Sequence, residues 1–173
     1  MPAPVGVQIP ILLKVLAFDR HLTDVKEKDL VLGVLYQSGF RTSVGVKDAV
    51  MEIVARDGSD RLASRRLKAI AVDADEKGTL ESKLKLSGAD VLYVTPLRAL
   101  DIAAVASVAR SLGVLTLSGV PEYIRNGLSI GLDVKRERPE ILVNLKAARA
   151  AGADLAAPLL KMATIVESRE PAP

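Results

Sequence analysis

The chain is predicted to fold as an α/β protein, a three-layer sandwich in which helices flank a mainly parallel central sheet. Short apolar runs, typical of strands buried on both faces, alternate with segments of helical spacing. Of the 173 residues, 49% are apolar but only 3% are aromatic, so we expect a core of aliphatic side chains. Strands connected through helices favour right-handed crossovers and parallel pairing.

The first two thirds of the chain repeat the order of strand and helix. Residues 8–20 predict a helix that is apolar around most of its circumference, with Pro10 tolerated near its start. Leu30–Tyr36, which reads LVLGVLY, predicts a buried strand, and residues 45–56 predict a helix. The remaining predicted elements of this part are strands at 67–74, 89–95 and 114–118 and helices at 80–87 and 100–112.

The pattern changes after Ser118. A short helix at 121–125 precedes two apolar segments, 128–135 and 140–145, separated by a short charged turn. This arrangement predicts an antiparallel hairpin for the last strands.

The end of the chain predicts two helices. Asn144 is placed to cap a helix ending near Gly152, and Pro158 opens a final helix with Leu159, Leu160, Ala163 and Val166 along one side. We expect a single domain over 1–167 and a flexible tail over 168–173.

Composition excludes several classes of function. The net charge is +3 with both signs interleaved, so we expect no nucleic-acid partner. The densest basic stretch is predicted to be a solvated face, with an anion contact as the alternative, and consists of Arg61, Arg65, Arg66 and Lys68. Because the chain has no cysteine and only one histidine, His21, we expect no disulfide, metal site or cofactor.

Polar residues follow the predicted strands, where open parallel sheets usually bind ligands. Asp73 and Asp75 could form an acid/base pair, but we favour a strand end followed by a helix cap. Thr95 with Arg98 and Ser118 with Glu122 follow the next two strands. The chain lacks a glycine-rich phosphate loop, and His21 is badly placed to serve as the base for a serine nucleophile. We therefore predict that the protein is not an enzyme.

The apolar segment 5–18 is interpreted as a helix of the mature domain. It is too short to span a bilayer, and Asp19 and Arg20 stand where a signal peptide would have small residues before its cleavage site. We expect a protein that does not itself span the membrane, and an export signal that was removed before this segment.

The last third of the chain carries the motifs of a known family. They comprise Gly127 and Ile130, then Asn144, Leu145, Ala147, Ala148, Arg149, Ala151 and Gly152, then Leu159, Leu160, Ala163, Ile165 and Val166. In this order they resemble the carboxyl-terminal half of the YfiR family of exported bacterial regulators. The family's paired glycines are replaced by Asn126-Gly127, and the cysteines of its best-known members are missing, so redox control by disulfides is not available.

The resemblance implies a periplasmic binding protein that forms homodimers and represses an inner-membrane partner. That partner would be a sensor, typically a diguanylate cyclase of the YfiN type, contacted through its periplasmic domain. The alternative is a periplasmic small-ligand binding protein, although such proteins normally need two lobes. The candidate partner or ligand contacts are Arg98, Glu122, Arg125, Asn126 and Arg149, with surface pairing as the alternative for Arg149. The candidate dimer contacts are Ile11, Val15 and Phe18.

Overall fold

A computed structural model describes residues 3–24, 28–57, 62 and 65–169, and the fold below refers to them. The helices are α1 (Val5–Leu16), α2 (Arg20–Thr23), α3 (Arg41–Asp57), α4 (Leu80–Ser87), α5 (Ile102–Ser111), α6 (Pro121–Arg125), α7 (Leu145–Ala150) and α8 (Ala157–Met162). The strands are β1 (Leu30–Tyr36), β2 (Leu67–Asp73), β3 (Val91–Val94), β4 (Leu115–Ser118), β5 (Ile130–Lys135), β6 (Arg138–Val143) and β7 (Thr164–Ile165).

All seven of these strands form one sheet in the order β2-β1-β3-β4-β5-β6-β7. The first five strands in that order are parallel, β5 and β6 form an antiparallel hairpin, and β7 is parallel to β6. The predicted α/β class, the mainly parallel sheet and the hairpin are therefore confirmed.

Two apolar cores lie on opposite faces of the sheet. On one face, α1, α3 and α8 contribute Leu12, Val50 and Leu159 to the larger core. On the other, α4, α5 and α6 contribute Leu84, Val105 and Ile124. Helices on both faces of a largely parallel sheet give the three-layer arrangement that the alternating sequence predicts.

Local side-chain contacts fix several helix starts. The carboxylate of Asp101 accepts hydrogen bonds from two amides of the first turn of α5, and Asn144 accepts one at the start of α7. Thr79 caps α4, and Gly88 ends that helix in the left-handed region at a φ of 64°. The predicted cap at Asn144 is confirmed.

The first helix is shorter than predicted and begins earlier. Instead of continuing to Arg20, α1 ends at Leu16, and the separate short helix α2 follows. Asp19 takes an extended backbone conformation at that junction, and its side chain accepts a hydrogen bond from the amide of His21. The aspartate thus starts a new helix where apolar spacing alone predicted one continuous helix.

The prediction of a final helix reaching Val166 is wrong. Helix α8 ends at Met162, Ala163 is extended, and Thr164–Ile165 pairs with the open edge of β6. Leu159 and Ala163 pack in the first core. From Ala163 onward the chain is extended, so side chains an odd number of positions apart point to opposite faces, and Val166 packs in the second core. The β-branched residues Thr164, Ile165 and Val166 favour this strand.

The predicted tail begins with residues that contact the fold. Ser168 Oγ accepts a hydrogen bond from Asn144 Nδ2 at 2.7 Å, and the amide of Arg169 donates to the carbonyl of Arg125 at 2.8 Å. Residues 170–173 lie outside the described residues.

The basic stretch forms the predicted solvated face only in part, because one of its arginines is buried. Arg65 is only 4% exposed, whereas Arg66 and Lys68 are exposed, and Arg61 lies outside the described residues. The guanidinium of Arg65 donates to three carbonyls just before β1, those of Leu22 at 2.9 Å, Lys28 at 2.8 Å and Asp29 at 3.2 Å.

Arg65 also connects two strands at the amino edge of the sheet. Its Nη2 lies 3.5 Å from Asp90 Oδ2, which accepts a hydrogen bond from the amide of Val31 in β1. The buried charge therefore has a carboxylate partner, and its donors are used by the backbone.

Arg65→Met should destabilise the protein by about 3 kcal/mol, because the carbonyls of Leu22, Lys28 and Asp29 lose their donor and Asp90 loses its positively charged partner. The matched control Arg66→Met removes an exposed guanidinium from the next position and should change stability by less than about 0.5 kcal/mol. Urea unfolding of both variants measures the difference. Equal midpoints for the two variants would contradict this role of Arg65.

Candidate functional site

The candidate site lies at the carboxyl ends of β1 and β3, which are neighbours in the sheet. The helix that follows β1, α3, packs on one face, and the helix that follows β3, α5, packs on the other. The two chain segments therefore diverge at this point, the usual ligand position in open α/β sheets, and we call the space between them the crevice.

Two buried hydroxyl groups form the floor of this crevice. Ser43 Oγ in α3 and Thr95 Oγ1 after β3 are 2.6 Å apart. Thr95 donates its hydrogen to the carbonyl of Leu35 at 2.9 Å, so Ser43 must be the donor to Thr95. Ser43 Oγ in turn accepts from the amide of Gln37 at 2.9 Å. These bonds connect β1, α3 and the segment after β3 without leaving a hydroxyl unpaired.

Four side chains surround the crevice, and we call them the carboxyl-edge cluster: Gln37, Phe40, Asp75 and Arg98. Gln37 accepts a hydrogen bond from the amide of Arg98 at 2.5 Å and donates to Asp75 at 3.3 Å. The guanidinium carbon of Arg98 lies 4.4 Å from the centre of the Phe40 ring. This stacking orients an exposed cation at the surface and leaves its hydrogen-bond donors available to a partner.

The carboxylates of Asp73 and Asp75 bind backbone amides and do not form a reactive pair. Asp73 Oδ1 accepts from the amides of Ser38 at 3.1 Å and Asp75 at 2.9 Å, and Asp75 Oδ2 accepts from Gly39 at 2.8 Å. Asp73 ends β2 as predicted, but neither residue caps α4, because Thr79 occupies that position. Both aspartates instead hold the loop between β1 and α3.

The surroundings of Asp73 lower its pKa below the ordinary value. Partial burial raises the pKa, but hydrogen bonds from Ser38 and Asp75 and the positive charge of Lys83 outweigh that effect. The folded protein therefore favours the ionised carboxylate.

Three of the sequence-predicted contact residues lie in or directly after α6. Glu122 forms ion pairs with Arg125 at 3.7 Å and with Arg169, and Asn126 ends the helix. Part of this predicted surface is thus occupied by the chain's own Arg169.

Helix α6 is connected to the loop that carries Arg98. The hydroxyl of Tyr123 accepts from the amide of Leu97 at 2.8 Å and donates to its carbonyl at 3.3 Å. Arg98 and Glu122, each next to one of these residues, are therefore held on the same side of the molecule. Neither Tyr123 nor Gln37 was among the predicted site residues, because only the folded chain shows their loop contacts.

Arg149 lies apart from the other candidates. It is exposed on α7, which follows β6, and β6 runs antiparallel to β5. The chain therefore reaches α7 at the amino edge of the parallel strands. The structure separates Arg149 from the carboxyl-edge cluster.

The three candidate dimer contacts differ in burial. Val15 is only 2% exposed and belongs to the chain's own core, so its side chain is not available to a second copy. Ile11 and Phe18 are half-buried and pack against that core with part of their surface. Val7, one turn before Ile11, is 45% exposed and was not among the predicted contacts.

Two further kinds of feature are missing from the part of the chain that the structure describes. No group of three or more histidine, aspartate or glutamate side chains there could hold a metal ion. Nor does any helix within those residues have the length and apolar character needed to cross a membrane.

Asp73→Asn should reduce the loss of stability in acid. A folded-state pKa below the unfolded value of about 3.9 contributes stability above that pH, and this contribution is lost as pH falls through the lowered pKa. Urea unfolding at about pH 6 and pH 3 measures the change. The exposed control Asp24→Asn should follow the parent, and an Asp73→Asn variant as acid-sensitive as that control would contradict the assignment.

Solved structures share the fold at low sequence identity. A conserved domain protein from Vibrio cholerae is 15% identical with a TM-score of 0.63, and 94% of this chain aligns with 60% of that one. The ABC domain in complex with L-Trp from Streptococcus pneumonia has a TM-score of 0.62 at 15% identity, with the same coverage of both chains. CD0873, a substrate binding protein with adhesive properties from Clostridium difficile, has a TM-score of 0.60 at 15% identity, with 81% and 55% coverage.

These likenesses establish the fold, and the chain spans 55% to 60% of the length of those structures. No curated protein matches the chain. The YfiR/HmsC-like family model, in contrast, matches residues 8–164, which include every strand of the sheet except the last residue of β7. The chain therefore belongs to the YfiR/HmsC-like family.

Proposed function

We propose that the protein is a periplasmic regulator that binds the periplasmic domain of an inner-membrane diguanylate cyclase and holds that enzyme inactive. The observation that carries the proposal is the family match over residues 8–164. The proposed role needs a recognition surface and no catalytic group. This agrees with Asp73 and Asp75 being used to bind loop amides.

We place the partner contact at the carboxyl-edge cluster. Arg98 is exposed there, its guanidinium is stacked on Phe40, and its own amide is bonded to Gln37. A guanidinium oriented in this way can bind a carboxylate through two parallel hydrogen bonds with little further loss of side-chain entropy. The partner surface should therefore present an aspartate or glutamate to Arg98.

Repression requires a difference in affinity between two states of the cyclase. Binding can shift the partner toward its inactive conformation only to the extent that the regulator binds that conformation more tightly. We infer that the loops after β1 and β3 supply this selectivity. Ser43, Thr95 and Asp73 hold the backbone there by hydrogen bonds, so these loops cannot adapt freely to both conformations of the cyclase.

A small-ligand binding protein is the second candidate. One of the similar structures is a substrate binding protein, and another contains L-Trp. The crevice between β1 and β3 is the corresponding kind of position in this chain. However, the chain spans only 55% to 60% of those structures, so it would need a second lobe or a second copy to enclose a ligand.

Arg98→Ala should weaken binding of the cyclase periplasmic domain by about 30-fold or more, because truncating one partner of a buried charge-assisted pair at an interface typically costs about 2–5 kcal/mol. Titration calorimetry with the periplasmic domain of a diguanylate cyclase from the same organism measures the change. Arg110→Ala, an exposed arginine at the far end of α5, is the matched control and should bind like the parent.

The same titration separates the two edges of the sheet. If Arg149→Ala weakens binding and Arg98→Ala does not, the partner contacts the amino edge and our placement is wrong. Absence of any binding by the parent would contradict the proposed function itself.

We also propose a homodimer formed through α1. Val7 is 45% exposed, and Ile11 and Phe18 retain exposed apolar surface beside it, whereas the neighbouring Val15 is buried. Two copies that pack these surfaces together would cover an apolar stripe that solvent does not favour.

Light scattering at tens of micromolar should give twice the mass of one chain. Val7→Lys places a charge in the proposed interface and should shift the protein toward the monomer. The control Leu86→Lys changes a leucine that is 89% exposed on α4, away from α1, and should leave the dimer intact. A monomeric parent would rule out this interface.

A further inference from the structure

An apolar pocket lies between α4 and α5, beside the carboxyl-edge cluster. Its cavity volume is about 190 Å³. The floor is formed by Leu35 of β1 and Val105 of α5, which are 0% and 4% exposed, and Leu80 of α4 lines it as well. Ala74 and Gly78, in the loop after β2, complete one side. The pocket opens to solvent beside Gly78 and Leu100, which are both exposed.

The one charged side chain in the lining, Lys83, does not make the pocket polar. Its ammonium group donates to the carbonyls of Asp73 at 2.8 Å, Ala74 at 3.4 Å and Glu76 at 2.5 Å. The three donors of the ammonium group are therefore directed at the loop backbone, and the methylene groups of Lys83 are left to line the pocket. An apolar occupant would not have to desolvate an unpaired charge.

An exposed leucine lies at the rim of the pocket, directly after a residue with strained backbone in the sequence. Leu100 is 38% exposed although it lines the apolar cavity. The preceding Ala99 has a φ of 52°, in the left-handed region that costs energy for a residue with a Cβ atom. This backbone places Leu100 at the mouth of the pocket, where it can cover a bound molecule.

We propose that this pocket binds one small neutral apolar molecule, of the size of benzene. An apolar cavity of about 150 Å³ in another protein stays dry and binds benzene or xenon, so 190 Å³ is sufficient for such a ligand. Binding would add dispersion contacts to Leu80, Leu100 and Val105, which keep exposed surface in the pocket. The proposal does not depend on the proposed function, because it rests on the pocket alone.

Titration of the full chain with benzene tests the site, with ¹³C-methyl NMR as the readout. Saturable shifts are expected at the methyl groups of Leu35, Leu80 and Val105, together with a higher melting temperature. Ala74→Val fills part of the cavity and should weaken benzene binding by about tenfold or more. The control Ala71→Val adds the same two methyl groups at an exposed position of β2 that does not line the pocket.

Leu100→Asp provides a second variant at an exposed position, so the test does not depend on the folding of Ala74→Val. A carboxylate at the mouth should also reduce affinity. The proposal is overturned if the parent shows no saturable binding, or if both Ala74→Val and Leu100→Asp bind benzene as tightly as Ala71→Val. Shifts that grow linearly throughout the protein would indicate partitioning into the core and would equally overturn it.

Discussion

The helices that follow the neighbouring strands β1 and β3 pack on opposite faces of the sheet, and this topology determines how the carboxyl edge is built. Because α3 and α5 pack on opposite faces of the sheet, the segments that follow these two strands separate and expose their backbone groups. Those groups require partners, which Ser43, Thr95 and Gln37 supply. The same requirement explains why Asp73 and Asp75 accept amides of the neighbouring loop. The crevice and its polar floor thus follow from the topology.

At the opposite, amino edge of the sheet, contacts between segments distant in sequence hold the chain together. Arg65 connects the segment before β1 with Asp90 at the start of β3. Asp19, 1% exposed, accepts the amide of Asp154 at 2.9 Å, and an isolated bridge pairs Asp19 with Leu155. These contacts hold the segment between α1 and α2 against the segment before α8. A polar pocket lined by Asp19, His21 and Asp90 remains between these contacts at the amino edge, whereas at the carboxyl edge Arg98 is exposed and stacked on Phe40.

Local patterns in the sequence predict most of the elements, because apolar runs and helix spacing reflect burial directly. Leu30–Tyr36 and Leu80–Ser87 have the predicted bounds, and the hairpin after Ser118 forms. The errors occur where distant segments decide the outcome. Thr164 and Ile165 pair with the edge of β6 and do not continue the predicted final helix. Arg65 is buried because it binds the carbonyls of Leu22, Lys28 and Asp29.

The candidate site was predicted in part. The order of strands and polar residues is enough to place Arg98 and Glu122 after neighbouring parallel strands, and the fold brings them to one edge. Gln37, Phe40 and Tyr123 could not be selected from the sequence, because their roles depend on contacts across 61, 58 and 26 positions of the chain. The prediction of Val15 as a dimer contact is wrong, because the spacing of apolar residues on α1 does not show which of them are buried by the rest of the same chain.

We propose that the partner is recognised by the carboxyl edge of the sheet. Amide hydrogen exchange of the protein, alone and saturated with the cyclase periplasmic domain, tests this placement. We expect slower exchange in the complex in the three loops of this edge, 37–41, 74–79 and 96–101, with little change in α7. Protection confined to α7 and its neighbours, with unchanged exchange in those three loops, would contradict the claim.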